Sequence, residues 1–263
     1  MTQHYLCIDV GNTQMEFGLY HGKALLISWR LSTQTRMTAD ELAWKMIGMF
    51  TRAEQSPLAI DGIMVSSVVP HLDPVMRDAC VSVCQQQPAF VGSPEVKTGI
   101  GIDYKNPRDV GADRLVAAIA AREQWGAPVI IMDCGTATTF DVVSPQGRYA
   151  GGLIVPGIEL SLAALCRYAA RLPDVSIAPV KELIGRDTVS SMQAGSYWAA
   201  VDGLRGIIHR LQALPEYSEA PLIATGGMSR KICDDMPEMT ALVPDLTLQG
   251  LHLLAQRHFA TDA

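Results

Sequence analysis

A chain of 263 residues, 48% hydrophobic and 18% charged, can bury a core in one large domain or two ordinary ones, which excludes a disordered polypeptide. Its net charge of −6 argues against a nucleic-acid partner held through phosphate contacts. No apolar stretch reaches the ~20 residues that span a bilayer. No basic segment with a following apolar run opens the sequence either, so the expectation is a cytoplasmic protein with no membrane partner. The six cysteines (Cys7, Cys80, Cys84, Cys134, Cys166, Cys233) are scattered and read as buried free thiols in a reducing compartment. Cys80 and Cys84 lie one helical turn apart, but no second Cys/His pair has metal-ligand spacing, and the six histidines show neither metal nor triad spacing.

In chain order, an apolar run over 5–8 leads into Asp9-Val10-Gly11-Asn12-Thr13 and returns through 17–20, which reads as a strand, a tight turn and a second strand. A third strand is expected over 24–31. Thr38 and Glu41 are spaced as a capping box, opening an amphipathic helix to about residue 52. A strand over 61–68, a helix over 70–87 and a short strand over 89–91 complete an α/β half. The connector 99–114 is polar and glycine-rich, with a helix expected over 115–122, so Asp113 and Arg114 fall near that helix's N-terminus. Taken alone, Asp113 reads as a cap with Arg114 or Arg108 as its partner, and Arg108 with Asp109 reads as a loop salt bridge.

The second half repeats the opening device. The run Pro128-Val-Ile-Ile-Met reaches Asp133-Cys134-Gly135-Thr136-Ala137-Thr138-Thr139 and continues through Phe140-Asp-Val-Val. A third strand follows over 148–157, whose Gly151 and Gly152 suggest close backbone approach. Helices are expected over 158–171 and 189–211, with a lid or interface loop over 173–179 between them. A strand over 222–225 runs into Gly226-Gly227, a helix starts over 228–233, and a terminal helix begins near 247.

One Asp-x-Gly turn is weak evidence, because most such turns are ordinary hairpins in which the carboxylate caps the turn. A pair, one in each half and each behind a buried-looking strand, points to an internal duplication with a phosphate-binding hairpin apiece. Gly135 lets backbone N–H groups approach an anion, and the threonines add hydroxyl donors. A carboxylate such as Asp133 beside a phosphate is repelled by about 4 kcal/mol at 4 Å and a dielectric of 20, so a cation is expected between them. There is no Gly-x-x-x-x-Gly-Lys-Ser/Thr, and Gly99-Ile-Gly101 lacks the third glycine and helix of a dinucleotide fingerprint.

Paired hairpins and a late strand ending Thr225-Gly226-Gly227 resemble the actin–hexokinase–acetate kinase superfamily. That implies an α/β fold of two duplicated ribonuclease H-like domains, each a mixed five-stranded sheet flanked by helices, over 1–114 and 115–263. It also implies ATP in the cleft between the halves, with the late Gly-Gly turn near the adenosine. The resemblance narrows through six blocks in order: Asp9-x-Gly-Asn-Thr13, Tyr104-x-Asn-Pro107, Gly111-Ala-Asp-Arg114, Asp133-x-Gly-Thr-Ala-Thr-Thr139, Gly151-Gly-x-Ile-x-Pro-Gly157, and Thr188 before the long helix. Together they look like type III pantothenate kinase. The resemblance implies transfer of the ATP γ-phosphoryl group to the primary hydroxyl of pantothenate, the opening step of coenzyme A synthesis.

Residue by residue, it implies Asp113 as general base and Tyr104, Gly111, Ala112, Arg114 and Thr188 around the acid. It implies an ATP site of Asp9, Val10, Gly11, Asn12, Thr13, Gln14, Met15, Glu16 and Thr136. Asp9 would organise Mg²⁺ through water, and Asp133 would bind a monovalent cation, K⁺ or NH₄⁺. It also implies a homodimer, for which the long-helix stripe Tyr197, Trp198, Leu204, Ile207 and Ile208 is an interface candidate, although such a stripe is more often core. Two features depart from the pattern. Asp187 stands where the family more often has Asn, placing an extra negative charge beside Thr188, which could itself be the helix cap. Residues 14–16 carry no basic side chain, so phosphate charge there falls to backbone, hydroxyls and metal. The rival readings are another small-molecule kinase or phosphatase of the superfamily, which the Tyr104 and Gly111–Arg114 blocks disfavour, and a nucleotide-bound regulator, which the acidic balance disfavours as a direct DNA binder.

Overall fold

The computed structural model describes residues 3–169, 172–180 and 182–260, and the last two positions of the helix expected over 158–171 lie outside them. The chain divides into two compact units, one within residues 1–100, 105–120 and 246–263, the other within 101–104 and 121–245. In the first unit, β1 (His4–Val10), β2 (Gln14–His21) and β3 (Ala24–Ser32) form an antiparallel meander, while β4 (Gly62–Ser67) and β5 (Ala89–Phe90) add in parallel, giving the order β3-β2-β1-β4-β5. Alternation along β1 sends Leu6, Ile8 and Val10 into a core with Phe17 and Leu19 of β2. That core is closed by Leu42, Met46 and Phe50 of α1 (Ala39–Arg52) and by Met76, Cys80 and Cys84 of α2 (Asp73–Cys84). The capping box is formed: the Glu41 N–H donates to Thr38 Oγ1 at 3.2 Å and the Thr38 N–H to Glu41 Oε2 at 2.8 Å.

The helix expected over 70–87 is shorter at both ends. Pro70 opens a single 3₁₀ turn, and Gln85 adopts a left-handed φ of 56° that ends α2. The helix after the connector, α3 (Ala112–Trp125), starts three residues earlier than its composition indicates.

The second unit repeats the first. β6 (Val129–Cys134), β7 (Ala137–Val143) and β8 (Tyr149–Pro156) form the meander, with β9 (Leu222–Thr225) and β10 (Ala241–Leu242) added in parallel in the order β10-β9-β6-β7-β8. Read from the other edge, this is the first sheet's topology. Ile130, Met132, Cys134, Phe140 and Val142 meet Leu162 of α4 (Ile158–Tyr168) and Tyr197, Val201, Leu204 and Ile208 of α5 (Thr188–Gln212). The long-helix stripe is therefore core: Tyr197, Leu204 and Ile208 are buried, and Trp198 and Ile207 pack against them. A short α6 (Ser229–Ile232) follows the Gly226-Gly227 turn.

The terminal helix, α7 (Leu246–Phe259), packs on β1, β2 and β4, although its place in the chain puts it with the second half. It covers the sheet face opposite α1 and α2, so β1 is apolar on both faces. His252 of α7 is buried there, its ring stacked on Tyr20 at 4.0 Å and tilted against Tyr5 at 6.1 Å. Burial holds its pKa below the ordinary histidine value. With the native pKa depressed, the unfolded chain takes up the proton more readily, so this site's contribution is intact above about pH 6.5 and is lost as pH falls through that value. His252→Phe, which keeps a stacked ring and cannot charge, is expected to flatten the acid-side fall of melting temperature, measured from about pH 5 to 8. An unchanged slope contradicts this.

Candidate active site

In the first hairpin the Gly11 N–H closes the turn on the Gln14 carbonyl at 3.0 Å. The Thr33 hydroxyl braces the same turn by donating to the Gly11 carbonyl at 2.6 Å. Asn12, Thr13 and Gln14 are exposed, while Val10 and Met15 are each only 1% exposed, so those two side chains belong to the core and only their backbone flanks the turn. Glu16 pairs with Arg30 at 2.7 Å. Asp9 lies at the carboxyl end of β1, in register with Glu16 on β2 and Ser66 on β4.

Asp113 belongs to the same unit. Its Oδ1 accepts the Arg114 N–H at 2.7 Å, but Asp113 is the second residue of α3 and not the cap that the plain reading expects; the Gly111 carbonyl takes the Leu115 N–H, so Gly111 holds the cap position. A Cβ at Gly111 would stand 2.5 Å from that oxygen and 3.7 Å from Val68 Cγ1, and the Val68 N–H donates to the Val10 carbonyl at 3.0 Å. These contacts bring the start of α3 against the carboxyl end of β1 and β4, beside Asp9's strand. Burial raises the Asp113 pKa above the ordinary carboxylate value, with the Arg114 amide and guanidinium only partly opposing it. Arg108 and Asp109 do not pair as expected: Asn106 Nδ2 donates to Asp109 Oδ1 at 2.7 Å and Asn106 Oδ1 accepts the Arg108 N–H at 3.3 Å. Asn106 thus organises the turn itself.

In the second unit the Gly135 N–H is likewise used by the turn, donating to the Ala137 carbonyl at 3.1 Å. Gly135 and Thr136 are exposed at the tip. Asp133 is framed by Gly226, whose φ is +86° and whose Cβ, if present, would lie 2.3 Å from Asp133 Oδ1. Thr225 is in register with Asp133 and buried. Burial pushes the Cys134 thiol up, far from thiolate chemistry, in line with an inert buried cysteine. All six cysteines are free.

Thr188 is the first residue of α5, and the cap before it is Asp187, whose Oδ1 accepts the Ser190 N–H at 2.9 Å. The helix-end amide also holds the Asp187 carboxyl below its usual range. Asp and Asn cap about equally well, so this departure from the family pattern keeps the local geometry. Thr188 is exposed and lines an apolar cavity of about 1030 Å³ with Val155, Pro156, Leu165 and Leu204. Tyr104 is 36% exposed and rests on Tyr149, with ring centroids 6.3 Å apart. The residues that motif reading missed are supports, Ser66 beside Asp9 and Tyr149 under Tyr104; Gly226 stands in a motif, but its closeness to Asp133 did not show there. Among the described residues no group of three or more His, Cys, Asp or Glu side chains converges as a metal cage, and no helix is long and apolar enough to cross a membrane.

Two five-stranded sheets of one topology, each opening on an Asp-x-Gly hairpin, define a duplicated ribonuclease H-like, actin-like fold. Solved structures share it: a Campylobacter jejuni protein described as a conserved Baf family transcriptional activator aligns with a TM-score of 0.60 at 17% identity, covering 97% of this chain and 100% of that one. MreB 5 of Spiroplasma citri, bound to AMPPNP, aligns at 0.56 and 10% identity, covering 98% and 97%. The chain itself belongs to the type III pantothenate kinase family, whose model matches residues 5–210. The type III pantothenate kinase of Listeria welshimeri is 43% identical over 256 residues, which is 97% of this chain and 98% of that one.

Proposed function

We propose that this chain transfers the γ-phosphoryl group of ATP to the primary hydroxyl of pantothenate, forming 4′-phosphopantothenate and ADP. The observation that carries the reading is Asp113: a carboxylate with a raised pKa, at the start of α3, against the strand end that bears Asp9. In the proposed step, Asp113 takes the hydroxyl proton, the hydroxyl oxygen bonds to the γ-phosphorus, and the bridging oxygen leaves with ADP. Tyr104, Gly111, Ala112, Arg114 and Thr188 hold the acid, the Arg114 fork suiting its carboxylate. The exposed Asn12, Thr13 and Thr136 meet the ATP phosphates, with Gly11 and the backbone of Val10, Gln14, Met15 and Glu16 shaping the turn.

The donor sets fit the two cations this chemistry needs. Asp9 has beside it the Ser66 hydroxyl, a buried oxygen with no hydrogen-bond partner among the described residues, and hard oxygens of this kind suit Mg²⁺ through water. Asp133, at a turn of hydroxyls and carbonyls, suits K⁺ or NH₄⁺. When bound, these ions offset charge on the triphosphate, and the protein's own task is positioning. A homodimer, supported by the apolar cavity and the exposed Ile154, Tyr168 and Ile184 of the second unit, completes the reading, with the cytoplasm as its expected compartment.

A coupled ADP-release assay tests the proposal. ADP release is expected to require pantothenate and to fall when K⁺ is replaced by Na⁺; equal release without pantothenate contradicts it. Because the basic form of Asp113 does the work, kcat/KM is expected to rise with pH along an acid limb set above the ordinary aspartate pKa, and a pH-independent rate across that range counts against Asp113.

A further inference from the structure

Beneath Tyr104 lies a chain of contacts that the proposed reaction does not use. Asp141 of β7 is 1% exposed; its Oδ1 accepts the Tyr149 hydroxyl at 2.6 Å and its Oδ2 accepts the Thr139 hydroxyl at 3.0 Å. Tyr149, at 0% exposure, grips the connector on both sides. Its N–H donates to the Gly101 carbonyl at 2.8 Å and its carbonyl accepts the Asp103 N–H at 2.8 Å. The neighbouring Arg148 fastens the same segment through Asp103 at 2.6 Å. The Tyr149 ring then supports Tyr104 at 6.3 Å and 56°, within the range where tilted aromatic pairs attract. Gly151, with φ +117°, also lies beside the Tyr104 ring, which would stand at an ordinary contact distance of 3.5 Å from a Cβ there.

A buried carboxylate is costly unless its oxygens are bonded, so Asp141 fixes where the Tyr149 hydroxyl must sit and with it the ring. Tyr104 itself is only partly covered and sits on an irregular connector. Its ring pairs with Tyr149 and lies beside Gly151. We propose that Tyr149, pinned by Asp141, is a positioning residue that sets the Tyr104 ring for the acceptor substrate. This rests on the reading of Tyr104 as a pantothenate contact.

The test is a kinetic double-mutant cycle on the full chain. Tyr149→Phe keeps the ring and removes the pin. It is expected to raise the KM for pantothenate about tenfold, the scale of one hydrogen bond to a charged group, while kcat and the KM for ATP stay within about twofold. In a Tyr104→Ala background the same substitution is expected to add nothing, because the ring it positions is gone; a merely structural role would act equally in both backgrounds. An unchanged pantothenate KM, or an effect that persists in full without Tyr104, overturns the proposal. If Tyr149→Phe lacks a cooperative melting transition, Asp141→Asn is read instead. It is isosteric and still accepts from Tyr149, so a smaller KM rise that vanishes without Tyr104 supports the proposal, and no rise or an additive one overturns it. A wild-type chain that fails to phosphorylate pantothenate removes both this inference and the functional reading; an active wild type with a silent Tyr149→Phe removes this inference alone.

Discussion

Asp113→Asn is expected to lower turnover by about 10²–10⁴ while leaving pantothenate binding nearly unchanged. The substitution keeps the shape and the Oδ1 that accepts the Arg114 N–H, so the first turn of α3 stays closed. What it removes is a group able to take a proton as the hydroxyl attacks. Stability should move the other way. A carboxylate whose native pKa lies above its unfolded value favours folding only below the unfolded pKa, and that contribution is lost as pH rises through the native one. At neutral pH the charged, half-buried Asp113 therefore weighs against the fold, and the Asn variant should melt at the same temperature or higher. Single-turnover rates, equilibrium binding and a melting curve on one preparation separate these effects. Undiminished turnover rejects Asp113 as the base, whereas lost binding with lost stability assigns it a structural role.

Gly226→Ala is expected to cost about 10² or more in kcat/KM, the scale of misplacing a reacting group by roughly 1 Å. Its φ of +86° is one that L-residues avoid at a cost of about 1–2 kcal/mol. A methyl group there would also meet Asp133 Oδ1 at 2.3 Å and the Cys134 backbone at 2.7 Å. Backbone cannot yield as a side-chain tip can, so Asp133 must move. The diagnostic consequence is a blunted response to K⁺, measured as the ratio of rates in K⁺ and Na⁺. Gly227→Ala, where an added Cβ meets nothing within 4 Å, should keep the parent's melting temperature. A Gly226→Ala variant with full activity and an intact K⁺ response contradicts the place given to Asp133.

Much of this was legible in the sequence because the fold writes itself locally. Both hairpins show as apolar runs broken by Asp-x-Gly, and the Thr38–Glu41 box marks the start of α1 to the residue. What escaped depends on contacts far apart in the chain or on elements too short to have a period. β10 is two residues long and carries no alternation. α7 is chemically an ordinary amphipathic helix, and only its fit against β1 and β4 places it in the first unit. The interface stripe on α5 failed because one apolar face can cover a core or a partner, and here the strands β6 and β7 claim it. Within the site, the residues proposed to meet ligand stand in the motifs, and so does Gly226, but neither its contact with Asp133 nor the support Tyr149 gives Tyr104 shows there. Gly226 and Tyr149 act through neighbours roughly 50 to 90 residues away by sequence position, where no local pattern reaches.

The most direct test follows the phosphoryl group itself. With γ-labelled ATP and pantothenate in K⁺ buffer, label should appear on the primary hydroxyl of pantothenate, one equivalent for each ADP formed. Label that passes instead to water as inorganic phosphate, at a rate indifferent to pantothenate, would contradict the assignment.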